Sequence, residues 1–161
     1  MNSDRAAHTR QMKINLPRYL EELSILLGRP VAEDELESVA EATRLREHAI
    51  KFNENRCNDF EILFDELRKN RFLQYIKNLD KMQDSSVLIW TPRTIICGPI
   101  RISNLGSVNW SFDFDINDEG MLAFSTDDMR ERLILDFSSG KLGSRILHIE
   151  AIGPQWHTIE Y

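Results

Sequence analysis

The chain has 161 residues, 42% of them hydrophobic and 29% charged, so it is long enough to bury a core and too short for several ordinary domains. Its net charge of −6 has the wrong sign for direct, non-specific binding of nucleic acid. No apolar run approaches the ~18 residues of a membrane span, and the polar stretch from Met1 to Lys13 has no signal-peptide core. Two cysteines, Cys57 and Cys97, are too few for a disulfide framework. We therefore expect one cytoplasmic domain spanning residues 1–161.

The first half of the chain has the spacing of helices. Asn15 is placed to cap a helix that starts at Leu16 and ends at Gly28. Acidic residues followed by basic ones predict a second helix from about Asp34 to Asn53. Asn58 or Asp59 is a candidate cap for a third, and the apolar positions beyond it fit either one long bent helix or two short ones. These positions are Phe60, Leu63, Phe64, Leu67, Phe72, Leu73, Ile76 and Leu79.

The second half changes to short β-branched and aromatic runs separated by turn residues. The predicted strands cover residues 87–90, 94–97, 100–102, 110–116, 121–124, 133–137 and 146–152. The clearest is 110–116, because apolar and polar residues alternate along it, and Asn117 to Gly120 then reads as a hairpin turn. The predicted fold class is α+β. N-terminal helices (about 14–82) pack on one face of a C-terminal antiparallel, meander-like β-sheet (about 86–161).

Acidic residues concentrate in the predicted sheet. Asp113 and Asp115 lie two apart, so on a strand they share a face about 7 Å apart. Paired carboxylates can bind a divalent cation or divide acid and base roles, but alternation alone also produces a solvated strand face. Asp118, Glu119, Asp127 and Asp128 add to the negative field, which is well suited to attract a basic protein partner.

Trp156 follows a Gly-Pro pair and stands next to a loop. A large amphipathic ring there serves either as an interface anchor or as a cover for the end of the sheet. The candidate partner-binding residues are therefore Asp113, Asp115, Asp118, Glu119, Asp127, Asp128 and Trp156.

No catalytic constellation or cofactor motif is assembled in the sequence. His148 and Glu150, with His157 and Glu160 further on, offer a histidine and a carboxylate for zinc or for acid–base work, but nothing supplies the remaining ligands. The run Ser138 to Lys141 lacks the first glycine of a phosphate loop. Cys57 stands beside Arg56, which can lower the pKa of a thiol, yet no base lies nearby in the sequence. We expect no catalytic residue, metal or cofactor.

In these properties the chain resembles the small acidic immunity proteins that bacteria pair with polymorphic toxins, including those of contact-dependent growth inhibition. The resemblance is carried by the acidic run Trp110-Ser111-Phe112-Asp113-Phe114-Asp115-Ile116, by Asp127-Asp128 and by the order of helices followed by sheet. It implies a cytoplasmic inhibitor that occludes the active site of a basic nuclease toxin, with carboxylates standing in for substrate phosphates.

Two other classes stay open. One is a small enzyme or ligand-binding protein with a cone-shaped pocket between helices and a curved sheet, in which His148, Glu150 or Asp136 would lie. The other is a structural or regulatory subunit that works as a homo-oligomer. A filled core with an acidic surface favours the binding protein, and a deep cavity lined by those polar residues favours the enzyme.

Overall fold

Six strands and four helices form the regular structure of the computed structural model, which describes residues 2–52 and 54–161. The helices are α1 (Asn2–Leu27), α2 (Val39–Phe52), α3 (Asn70–Lys81) and the single turn α4 (Thr94–Cys97). The strands are β1 (Cys57–Leu63), β2 (Val87–Trp90), β3 (Ile100–Ile102), β4 (Met121–Thr126), β5 (Arg132–Ser139) and β6 (Arg145–Ile152). Within the described residues no helix has both the length and the apolar composition needed to cross a bilayer.

All six strands belong to one antiparallel sheet, in the order β1-β6-β5-β4-β2-β3. The α+β class and the antiparallel sheet predicted from the sequence are confirmed. Strands β4, β5 and β6 form the predicted meander, in which each strand pairs with the next along the chain. Strand β1 comes from the helical half of the chain and completes one edge by pairing with β6.

Helix α1 is longer than predicted. It runs through Asn15, whose side-chain amide donates to the Gln11 carbonyl at 2.8 Å, so Asn15 is an interior residue and the predicted cap is wrong. The preceding residues 2–14 contain no glycine or proline, and they include the good helix formers alanine, arginine and lysine, so the helix continues through them. The predicted end is confirmed, because Gly28 has a left-handed backbone and the Arg29 amide donates to the Ser24 carbonyl.

Helix α2 begins later than predicted. Residues Glu33–Glu35 form a separate 3-10 turn, and the Ser38 hydroxyl accepts a hydrogen bond from the Glu41 amide at 3.1 Å, which caps the helix that starts at Val39. The acidic residues that indicated a helix start at Asp34 therefore belong to the preceding turn. Asn53, the predicted end, lies outside the described residues.

The prediction of a helix beginning at Asn58 or Asp59 is wrong. Residues Cys57–Leu63 form β1, Phe64–Arg68 form a 3-10 turn, and only Asn70–Lys81 is helical, as α3. Side chains of β1 alternate, so Phe60 and Ile62 pack against the core while their neighbours face solvent. Pairing with residues 146–152 of β6 satisfies its backbone on one side, and this long-range partner overrides the helical spacing.

Two predicted strands are absent. Residues 94–97 form the single turn α4, and residues 110–116 are irregular. Strand β2 already has β3 on one side and β4 on the other, so residues 103–120 connect β3 to β4 by crossing over the sheet instead of joining it. This crossing segment buries Trp110 and Phe112 against the sheet, which explains why its residues alternate without being a strand.

The two faces of the sheet differ in what covers them. The inner face carries α1, α3 and the crossing segment, and its core includes Leu133, Leu135 and Ile149. The outer face carries α2 at one end only, where Leu45 packs on Leu88 and Met129. The rest of the outer face, formed by β5, β6 and β1, presents partly or fully exposed side chains.

Candidate functional site

Asp113 and Asp115 lie in the crossing segment and not on a strand. Phe114 between them packs on the core, and both carboxylates remain exposed to solvent. One oxygen of Asp113 lies 3.6 Å from an Arg68 guanidinium nitrogen, while the side chain of Asp113 is 93% exposed. The two residues therefore keep the exposure that was predicted for them, but the strand geometry that placed them about 7 Å apart does not apply.

Asp118 is held by two cations of the chain itself. Its carboxylate accepts hydrogen bonds from Arg18 at 2.6 Å and from Arg93 at 3.1 Å. Glu119, the next residue, is exposed. The two arginines neutralise much of the field that Asp118 was predicted to offer to a partner.

Asp127 and Asp128 occupy the turn between β4 and β5, and they are also engaged locally. Asp127 lies 3.7 Å from Arg101. Asp128 accepts hydrogen bonds from the Thr126 hydroxyl at 2.7 Å and from the Arg130 amide at 3.0 Å, an arrangement that stabilises the turn.

These predicted acidic residues do not form one surface. Asp118 precedes β4 and Asp127 follows it. From Met121 to Thr126 a strand extends about 17 Å, at ~3.4 Å per residue. The two groups of acidic residues are therefore separate patches at opposite ends of β4.

Trp156 is fully buried, so its interpretation as an interface anchor is wrong. Its ring N–H donates to the Leu79 carbonyl at 3.1 Å, and its backbone N–H donates to a Glu131 carboxylate oxygen at 2.8 Å. The side chain ties the C-terminal segment to α3. The alternative role, covering the sheet, fits this position.

A different group of acidic residues lies together on the open part of the outer face. Strand β1 contributes Asp59 and Glu61, β6 contributes His148 and Glu150, and β5 contributes Asp136. Adjacent strands lie about 4.8 Å apart, so these side chains share a patch roughly 10 Å across three strands. We call this patch, the four carboxylates around His148, the acidic face.

The register of the strands produces this arrangement. His148 is opposite Glu61 on one side and Asp136 on the other, and Glu150 is opposite Asp59. The ring nitrogens of His148 lie 3.7 Å from Glu150, 3.8 Å from Asp59 and 3.9 Å from Glu61. These separations exceed hydrogen-bond length, so the carboxylates surround the ring without being fixed by it.

Within residues 2–52 and 54–161, no lysine or arginine lies within 4 Å of the carboxylates of the acidic face. This distinguishes them from Asp118, Asp127 and Asp128, which all have arginine partners. The same negative field acts on the neighbouring thiol of Cys57. Its pKa is raised first by burial and then by the carboxylates of Glu150 and Asp59.

The chemistry open to this patch is limited by its geometry. In the described part of the chain, no group of three or more histidine, cysteine, aspartate or glutamate residues is arranged to hold a metal ion. Arg56, which the sequence placed beside Cys57, is bonded to Glu54 at 2.7 Å and does not lower the pKa of the thiol. A raised pKa keeps the thiol protonated, so it is not an activated nucleophile.

The pocket predicted between the sheet and the helices does not contain the three polar residues assigned to it. His148, Glu150 and Asp136 alternate with Leu135, Leu147 and Ile149, the residues that pack against the core. Their side chains consequently point away from α1 and α3. The arrangement is a polar sheet surface and not the lining of a cone-shaped cavity.

Sequence reasoning missed half of the acidic face because it assigned β1 to a helix. The signal was present, since Asp59 and Glu61 alternate with Phe60 and Ile62 at the period of a strand. His148 and Glu150 were correctly placed on one strand face. Their carboxylate neighbours come from strands that are distant in the chain, and only the sheet order brings them together.

Comparisons of this chain with protein-family models, with curated protein sequences and with solved structures gave no match.

Proposed function

We propose that this chain is a cytoplasmic inhibitor that binds a basic protein partner through the acidic face, in the manner of an immunity protein that neutralises a nuclease toxin. The observation that carries the proposal is the group of four carboxylates, drawn from three adjacent strands, with no lysine or arginine of the described chain beside them. A negative patch of this kind selects partners of opposite charge.

The sheet supplies the rigidity that such recognition requires. Asp59, Glu61, Asp136 and Glu150 are fixed by continuous strand pairing, so their backbone positions do not have to be ordered when a partner binds. The lysines and arginines of a nuclease groove normally bind phosphates. Carboxylates at strand spacing offer them an alternative anionic ligand, and a bound inhibitor then blocks the groove.

Exposed acidic residues in the loops are additional candidates for contact with the partner, but the proposal does not rest on them. Asp113 and Asp115 remain available to a partner, because both are exposed and, among the described residues, Arg68 is the only cation within 4 Å of either carboxylate. Asp118, Asp127 and Asp128 are less suited, since binding a partner there requires replacement of existing arginine contacts. Trp156 is removed from the set because it is buried.

The experiment begins with capture of a stoichiometric partner by the tagged chain from its native host. The partner domain is then expressed in bacteria alone and together with this chain. We expect a basic domain that arrests growth by cleaving nucleic acid, and we expect co-expression of this chain to restore growth. Replacement of the acidic face by amides (D59N, E61Q, D136N and E150Q together) is expected to abolish this protection.

A control variant carries the same charge change elsewhere. Asp34, Asp84, Glu21 and Glu160 are exposed and lie outside the acidic face, and D34N, D84N, E21Q and E160Q together also raise the net charge by four. The control is expected to protect as the natural chain does. Equal protection by both variants would refute the acidic face as the binding surface, and a partner without nuclease activity would refute the toxin assignment alone.

A further inference from the structure

A second site adjoins the acidic face on the outer side of the sheet, in the groove between α2 and strands β4 and β5. Met121 and Ile134 of this groove are paired with Asp136 and Glu150 of the acidic face. The groove has a volume of about 450 Å³, within the 300–1,000 Å³ typical of small-molecule sites. Its walls are largely apolar, with contributions from Trp90, Pro92, Ile95, Met121 and Ile134. Ile95 and Met121 are respectively 48% and 39% exposed, so apolar surface is open to solvent there.

Two guanidinium groups reach the same groove. Arg132 comes from the outer face of β5 and Arg46 from α2, and both also line the adjoining cavity beside Met129. Across the described residues, neither side chain has a hydrogen bond or an ion pair. Arg93 and Arg101, in contrast, are each bonded to two carboxylates or hydroxyls of the chain.

The Nε of Arg132 shows most directly that this guanidinium group has no partner in the chain. It is shielded from solvent and has no hydrogen-bond partner. The nearest side chain across the ladder, Ser125, is already committed, because its hydroxyl accepts from the Trp90 ring N–H at 2.8 Å and donates to the Met129 sulfur. A ligand oxygen cannot reach an atom that water cannot touch, so an anion in the groove would bond to the terminal nitrogens of the Arg132 guanidinium, which also have no partner among the described residues.

Carboxylates of the chain are present near the groove, but they do not pair with Arg46 or Arg132. Glu119 lines it and is exposed, and Glu54 lines the adjoining cavity, where it is bonded to Arg56. Neither lies within 4 Å of Arg46 or Arg132. The groove therefore combines apolar walls with two unpaired cations, which defines the chemistry of its ligand.

We propose that this groove binds a small amphipathic carboxylate, a molecule with one medium-length aliphatic chain or one aromatic ring and a single anionic group. The carboxylate lies between the guanidinium groups of Arg46 and Arg132 and accepts hydrogen bonds from their terminal nitrogens, while the apolar part packs on Trp90, Met121 and Ile134. This site borders the acidic face but shares no residue with it, and it does not depend on the function proposed for that face.

The test uses octanoate as the probe and 1-octanol as its uncharged counterpart. Binding is measured by calorimetry, and the change in Trp90 fluorescence on covering of its ring gives a second readout, since Trp90 is the half-buried tryptophan while Trp110 and Trp156 are buried. We expect octanoate to bind at least about tenfold more tightly than octanol, because charge-assisted hydrogen bonds to guanidinium are strong. We expect R132Q and R46Q each to weaken octanoate by about tenfold and to leave octanol unchanged.

Lys77→Gln provides the matched control, because it removes one cation far from the groove on α3 and is expected to leave octanoate affinity unchanged. Arg46 is exposed on α2, so R46Q keeps the test decisive if R132Q fails to fold. Equal binding of octanoate and octanol, unchanged affinity in R46Q, or no octanoate binding at millimolar concentration would each overturn the proposal.

Discussion

A buried carboxylate, Glu22, connects the first helix to the sheet. It is 3% exposed, and one of its oxygens lies 3.3 Å from Arg93, the residue before α4. Arg93 also contacts Asp118 at 3.1 Å, so it joins α1 to the end of the crossing segment. Burial raises the pKa of Glu22, and Arg93 only partly opposes that effect.

The raised pKa gives a prediction for stability against pH. Because the folded chain binds this proton more tightly than the unfolded chain, its contribution to stability is full below about pH 4.5 and is lost as the pH rises through the folded-state pKa of Glu22. Glu22→Gln removes that contribution, at about 1.4 kcal/mol for each unit of pKa difference. Between pH 4.5 and 7.5, urea unfolding of the variant is therefore expected to depend less steeply on pH.

Other carboxyl groups also contribute to the dependence of stability on pH. Burial also raises the pKa of Asp80 and Glu131, so the variant retains a shallower slope of the same sign. The pKa of Glu54 is lowered to about 2 by Arg56, so Glu54 loses its contribution only below the chosen range. An unchanged slope in Glu22→Gln, or stability that falls on acidification from pH 7.5 to 4.5 in the natural chain, would contradict the assignment.

The burial of Trp156 could not be predicted from the residues next to it in the sequence. The neighbouring Gly-Pro pair correctly indicated a break after β6. The buried ring N–H, however, donates to the Leu79 carbonyl and the backbone N–H donates to Glu131, and both acceptors are distant in the chain. Whether a large amphipathic side chain anchors a partner or closes a core is decided by such distant groups.

The segment that became β1 carried two periods at once. Phe60, Leu63, Phe64 and Leu67 have helical spacing, whereas Asp59 and Glu61 alternate with Phe60 at strand spacing. The apparent helix face joins residues from a strand to residues of the following 3-10 turn. Only the partner strand β6 resolves this ambiguity, and it lies near the other end of the chain.

The crossing segment was wrongly predicted as a strand although its pattern of buried and exposed residues was identified correctly. Its alternation was real, since Phe112 and Phe114 pack against Phe64 and Phe137 while Asp113 and Asp115 face water. Alternation reports which side chains are buried and not whether a neighbouring strand is available for pairing. Predictions of the strands at 87–90, 100–102, 121–124, 133–137 and 146–152 are confirmed, because a neighbouring strand is available for pairing at each of them.

Gly98, between α4 and β3, is required for the covering of one sheet edge. Its backbone has φ of +93°, and a Cβ there would meet the Glu37 carbonyl oxygen. The Glu37 amide donates to the Pro99 carbonyl at 2.8 Å, and Leu36 bridges to Ile100, so this segment lies along the free edge of β3. A side chain at Gly98 would push the segment that contains Leu36 and Glu37 away from β3.

We therefore expect Gly98→Ala to lower the free energy of unfolding by more than about 3 kcal/mol, because it adds a backbone clash to the cost of a left-handed conformation. Gly143→Ala is the control, since Gly143 also has a positive φ, of +75°, but a Cβ there meets nothing within 4 Å. Its cost is expected to be about 1 kcal/mol. Urea unfolding distinguishes the two, and equal losses would contradict the proposed clash.

Taken as a whole, the molecule is asymmetric across its sheet. The inner face is filled by α1, α3 and the crossing segment, and α2 covers only the end of the outer face near β2. The charges Asp59 and Glu61 on the edge strand β1 also disfavour pairing of that edge with a second copy, since like charges would then come close together. The acidic face thus remains open to a partner of opposite charge.

The most direct test is the association rate of the purified partner with this chain, measured by stopped flow at about 50 mM and 500 mM salt. If the acidic face steers the encounter, we predict a rate that falls at least about tenfold at the higher salt. At low salt, the variant with D59N, E61Q, D136N and E150Q is expected to associate about tenfold more slowly, whereas the control with the same net charge stays within about twofold. Association of both variants at the rate of the natural chain would contradict the account.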